Sequence, residues 1–144
     1  MEKIVTFFHN VLAKSTNFNS LTPVDDVALL FPEFLELVKL CIKEYQKKYP
    51  NQDITFTETY RSNALQLKYY TDGASKLKKN GMHHYGIAAD CIFIVDGKRT
   101  YKGDVMLIRK IFNAHGLTTL GMWDPLHVQY ISVADQPKLR SLVG

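Results

Sequence analysis

The chain has 144 residues, with 18 Lys+Arg against 14 Asp+Glu for a net charge of +4, and it is 46% hydrophobic and 22% charged. At 16.5 kDa it predicts one domain, with roughly 7,500 Å² of folded surface against roughly 24,000 Å² unfolded, enough burial for a core without staples. This composition excludes disorder, and the mild basic excess suits an anionic partner without choosing among wall polymer, nucleic acid and membrane surface.

Residues 1–15 read as a short amphipathic helix, with Ile4, Phe7, Phe8, Val11 and Leu12 at helical spacing. No signal peptide is evident in this stretch, and the apolar runs fall short of a membrane span. The expectation is a soluble product made in the cytoplasm. A turn-rich connector covers 16–25. Residues 26–48 are the most periodic segment and read as helical, with Phe31, Phe34, Leu35, Leu37, Val38, Cys41 and Ile42 as the apolar stripe and Pro32 suited to a first turn. Ile54–Tyr60 reads as a strand and 63–72 as a helix. Ala88–Val95 predicts a buried strand, Asp96-Gly97 a hairpin turn and Lys98–Tyr101 the return strand. Asp104–His115 predicts a helix stopped by Gly116, Leu126–Ile131 a last strand, and Pro137–Leu142 a closing helical turn. Strands and helices mix without regular βαβ alternation, so the expected class is α+β: one domain with a small, mostly antiparallel sheet flanked by helices.

Cys41 and Cys91 form no C-x-x-C motif, which excludes a zinc ribbon or a thioredoxin site, and their apolar settings predict buried free thiols. Five histidines are present, and their company matters more than their number. His83 and Asp90 lie in GMHHYGIAAD, and Asp124 and His127 in DPLH. A catalytic zinc takes three protein ligands and keeps a fourth position open. Seven extended residues span roughly 23 Å, so the chain between His83 and Asp90 must double back, and Gly86 can adopt the positive φ this needs. Asp90 sits inside an apolar run, where a carboxylate is costly unless it is paired, bound to a metal or bonded to backbone N–H groups. Alternation along the last strand points His127 and Gln129 the same way. Asp124 is either the opener of an Asp-Pro turn or a carboxylate within reach of a metal-activated water. Arg61, after the first strand, is either a surface charge or a guanidinium aimed at an oxyanion.

With these stretches in hand, ETYRSNALQ (58–66), HHYGIAAD (83–90) and WDPLHVQ (123–129), the sequence resembles the zinc D-alanyl-D-alanine carboxypeptidases and L-alanyl-D-glutamate endopeptidases. That group includes phage endolysins and vancomycin-resistance peptidases and shares a fold with the hedgehog signalling domain. The resemblance covers roughly 30–132 and implies a zinc peptidase domain over 26–144, with 1–25 as an N-terminal helix and connector. It implies Zn²⁺ on His83, Asp90 and His127, Asp124 as general base, and Arg61 steadying the tetrahedral intermediate or the substrate. Gln66, His84, Tyr85 and Trp123 would contact substrate, a peptidoglycan stem peptide. The implied protein is a monomer that acts on the wall after release, as in phage lysis. Three departures stand out: Gly81 where the family often has Ser, Leu126 rather than Pro before the last His, and Asp124 where the dipeptidase branch has Glu.

Other readings compete with this one. Non-haem iron oxygenases also use two His and a carboxylate, usually on a jelly roll, for which this chain has too few predicted strands. A hedgehog-like chain could instead be a non-catalytic wall-binding module. The Lys clusters at 43–48 and 76–79 come without a nucleic-acid reader motif, so no nucleic-acid partner and no stable membrane insertion are expected.

Overall fold

The computed structural model describes residues 1–144. The opening periodicity becomes helix α1 (Glu2–Phe7), which continues as a wider π turn over Phe8–Leu12. Ile4, Phe8 and Leu12 recur every fourth residue and are the buried positions of this segment. The helix expected over 26–48 is divided. Asp26 caps a 3₁₀ turn at Val27–Leu29 by accepting a 2.9 Å bond from the Ala28 N–H. Helix α2 (Pro32–Lys48) starts only at Pro32, whose fixed φ and missing N–H suit a first helical position. Phe34, Val38, Cys41 and Tyr45 are its buried stripe.

Strand β1 (Gln52–Glu58) begins two residues before its expected start, and Tyr60, beyond its end, makes an isolated bridge to Val24. Helix α3 (Asn63–Thr71) is capped by the Ser62 hydroxyl, which accepts from the Leu65 N–H at 2.9 Å. A 3₁₀ turn at Met82–Tyr85 then leads into β2 (Ala88–Val95). Asp96 and Gly97, with φ of 52° and 76°, make the tight turn to β3 (Lys98–Thr100). Helix α4 (Val105–Ala114), capped by Asp104, is followed by Gly116 at φ 79°. Two short strands, β4 (Thr118–Thr119) and β5 (His127–Gln129), and helix α5 (Gln136–Val143) complete the chain. The last strand is shorter than the expected 126–131, and β4, at two residues, is too short to show alternation in the sequence.

The sheet order is β1-β2-β5-β4, with β3 paired to the far end of β2, and every pairing is antiparallel. The class is α+β, as expected. A cluster of 28 buried residues forms the core, and it includes Ile4, Phe8 and Leu12 from one end of the chain and Leu139 from the other. Both cysteines are buried and unpaired. The accessible surface is 8045 Å². No helix is long and apolar enough to cross a membrane.

Register positions the site. Asp90 of β2 pairs with His127 of β5 on one side and with Glu58 of β1 on the other. Directly paired residues share a face, so three strands present Glu58, Asp90 and His127 side by side.

Candidate metal centre

His83 reaches this face from outside the sheet. It lies in the 3₁₀ turn, and Gly86 ends that turn in the left-handed region at φ 69° and ψ 21°. A side chain at Gly86 would also meet the Leu29 carbonyl at 2.6 Å, so glycine is needed for both conformation and space. The chain doubles back here as the spacing of His83 and Asp90 requires.

His83 Nε2 lies 3.4 Å from Asp90 Oδ1, and His127 Nδ1 lies 3.2 Å from the same oxygen. One ligand atom from each of the three residues falls within 4.8 Å of the others, an arrangement that could hold a metal ion. Both ring nitrogens of His83 are buried and have no hydrogen-bond partner. A buried imidazole left so is costly, and a cation beside Nε2 would give that nitrogen its partner. Charge points the same way. The carboxylates of Glu58, Asp90 and Asp124 converge on this cluster with the single guanidinium of Arg61 among them. That net negative charge is complementary to a divalent cation. Two imidazoles and a carboxylate are a donor set that suits zinc.

The orientation of His127 is fixed from behind. Gln129 Nε2 donates to the Ile131 carbonyl at 2.9 Å and to Gln136 Oε1 at 2.8 Å. Its Oε1 therefore faces His127 Nε2, 2.8 Å away, and accepts from it. Nδ1 is left facing Asp90 and Asp124. Burial pushes this imidazole down, but Asp90, with help from Gln129 and Asp124, outweighs it and raises His127 above its ordinary pKa. Burial likewise works to raise Asp90, yet His83 and His127 win and hold it well below the usual carboxylate range.

Asp124 stands at the mouth of the cluster, with Oδ2 3.8 Å from His127 Nδ1 and a side chain 39% exposed. Burial, then Asp90, raise its pKa against the opposing pull of His127, His83 and Arg61. Its loop is braced by Arg109, which donates to the carbonyls of Pro125 at 3.0 Å and Leu120 at 2.5 Å. Arg61 Nε donates to Glu58 Oε1 at 2.9 Å and Nη1 to Gln66 Oε1 at 3.1 Å. Nη2 also pairs with Glu58 and stands 3.8 Å from Asp90 Oδ2. The guanidinium carbon is 4.9 Å from the centre of the Tyr69 ring.

The structure thus brings together His83, Asp90, His127, Asp124, Arg61 and Gln66, with Gln66 touching Arg61 rather than open space. Two candidates go elsewhere. His84 is buried among the rings of Phe8, Phe18 and Tyr60, with Nδ1 3.1 Å from the Tyr60 hydroxyl, and burial pushes its imidazole down to about 4. Tyr85 is buried against Phe8 and His84. Both are core side chains, because a 3₁₀ turn sends consecutive residues in directions about 120° apart and His83 alone takes the one facing Asp90. Trp123 is 79% exposed beside Asp124. Glu58, Gln129 and Arg109 join the site without a motif of their own in the sequence. The signal for Glu58 in the sequence is an acid inside the β-branched and aromatic run ITFTETY, and the structure buries it.

No family model matches the chain, and no curated protein matches it by sequence. A solved structure does match: the L-Ala D-Glu endopeptidase ChiX of Serratia marcescens, with a TM-score of 0.57 and 16% identity over 90% of this chain and 100% of that one. The two chains share one fold. The expected α+β domain with a small antiparallel sheet flanked by helices is therefore met, and it is the fold of that endopeptidase.

Proposed function

We propose that the protein is a zinc-dependent peptidoglycan peptidase that hydrolyses the L-Ala–D-Glu bond of the stem peptide. The observation that carries this reading is the convergence of His83 Nε2, Asp90 Oδ1 and His127 Nδ1 on one point, with Asp124 3.8 Å from His127. The fold shared with an L-Ala D-Glu endopeptidase supports the choice of bond. Zinc held by these three residues supplies a Lewis acid that acidifies water and polarises a carbonyl.

The protein's own groups do the rest. Asp124 is partly exposed and its pKa is raised by burial and by Asp90, so it is a good proton acceptor. It takes a proton from the attacking water as the new C–O bond forms at the scissile carbonyl carbon. It returns that proton to the amide nitrogen as the C–N bond breaks and the amine leaves. Arg61 adds positive charge beside the oxygen that becomes negative. Trp123 offers an exposed ring to substrate next to the base. In the same reading the protein is a monomer that acts on the wall after release, in a phage-type lysis role.

Digestion of purified murein, followed by mass spectrometry of the soluble peptides, tests the proposal. The expected products carry new amino-terminal D-Glu and leave L-Ala on the glycan. Loss of terminal D-Ala alone would make the enzyme a carboxypeptidase. Binding to murein with no new amine ends would make it a wall-binding module.

A further inference from the structure

We propose that Glu58 and Arg61 form a clamp that sets the zinc affinity of the centre by reserving one oxygen of Asp90 for the metal. This rests on the zinc assignment above and not on the choice of substrate.

A β-bulge builds the clamp. Phe56 pairs with Cys91, yet the next pair is Glu58 with Asp90, so Thr57 and Glu58 share the place of one residue. In an unbroken ladder Thr57 would face Asp90. Bulges of this kind re-aim side chains beside functional sites. The re-aimed residue is a carboxylate only 4% exposed, a placement that is unfavourable without a paired cation. Arg61 supplies that cation through Nε, at 2.9 Å, and through Nη2.

The guanidinium is also held on its other sides. Gln66 accepts from Nη1 at 3.1 Å, and the Gln66 amide is itself fixed by Ser75 Oγ at 2.9 Å and the Leu77 carbonyl at 2.8 Å. The Tyr69 ring lies against the guanidinium face. Held this way, Nη2 faces Asp90 Oδ2 at 3.8 Å, while Oδ1 faces His83 Nε2 and His127 Nδ1 at 3.4 and 3.2 Å. The two oxygens of one carboxylate are thus assigned to different partners. Glu58 has a second effect. An uncompensated guanidinium this close to a cation site would repel a divalent ion, and the Glu58 charge offsets part of that repulsion.

The test is the dissociation constant for zinc alone, measured by competition with a chromophoric chelator on the full chain. Glu58→Gln and Arg61→Lys should each weaken binding about 10–100-fold, the usual cost of losing a residue that orients a ligand. Circular dichroism identifies the variants that are folded. Arg61→Lys keeps a buried cation beside Glu58, so it carries the test if Glu58→Gln does not fold. A folded variant of either kind that binds zinc within about twofold of the parent overturns the clamp, because such orienting contacts cost at least tenfold. A parent chain that binds zinc but leaves murein uncut overturns the peptidase reading instead and leaves the clamp standing.

Discussion

His127 donates through Nε2 to Gln129 Oε1 at 2.8 Å, and this one bond decides which nitrogen of the ring is left for a cation. Gln129→Leu removes the acceptor and frees the ring to turn over. Zinc affinity should fall about 10–100-fold although residue 129 never enters the cluster. Chelator competition gives the number, and an unchanged affinity would show that strand geometry alone orients His127.

Asp124→Asn keeps the size of the side chain and removes its basicity. Turnover on murein should drop by about 10²–10⁴, the range that general-base catalysis supplies. Elemental analysis should still find one zinc per chain, since Asp124 is not among the three convergent ligand residues. Retention of full activity would remove Asp124 from the mechanism.

Zinc should stabilise the fold, because an unfolded chain does not hold the three ligand residues together. At a free concentration 100 times its Kd the gain is about 2.7 kcal/mol, roughly 8 °C in Tm for a domain of this size. His83→Ala should abolish the rise. A Tm indifferent to zinc in the parent would reject the metal assignment.

Trp123 is the one tryptophan of the chain and is 79% exposed, so tryptophan fluorescence reports on this loop and nothing else. Disaccharide-peptide fragments of murein added to Asp124→Asn should quench the emission or shift it to the blue. A Cβ at Gly121 would fall 2.5 Å from Trp123 Nε1. Gly121→Ala should therefore displace the ring and raise KM more than it lowers kcat. Emission unmoved at saturating fragment would place Trp123 outside the substrate path.

Asp104 ties α4 to the C-terminal end of α2. Its Oδ1 accepts from the Leu107 N–H at 3.1 Å and its Oδ2 from the Tyr49 hydroxyl at 2.7 Å. The Tyr49 hydrogen bond, then the Leu107 N–H, hold its pKa below the ordinary 3.8. The ionised form is therefore favoured on folding. Its contribution is full at neutral pH and is lost as pH falls below 3.8 and through the lowered folded value. Asp104→Ala should cost about 1 kcal/mol at pH 7, roughly 3 °C in Tm. The difference from the parent should shrink at the acid end, and a difference that grows as pH falls would contradict this.

Much of this architecture is legible in local sequence. Pro32 marks the start of α2, Asp96-Gly97 makes the hairpin, Gly116 follows α4, and Gly86 turns the chain between His83 and Asp90. Each of these is a property of one residue and its backbone. The features that were not legible belong to pairs. The bulge that sets Glu58 opposite Asp90 exists only once β1 and β2 are in register. The bond from His127 to Gln129 depends on Ile131 and Gln136 fixing the amide. His83 and His84 look alike in sequence and part company because the turn rotates one toward Asp90 and the other under Phe8 and Phe18.

Asp90 and His127 meet across the β2–β5 seam although 37 positions separate them along the chain. A ribosome that has not yet passed residue 127 has therefore made at most two of the three ligands. The three-residue group is complete only once the last strand, β5, pairs with β2.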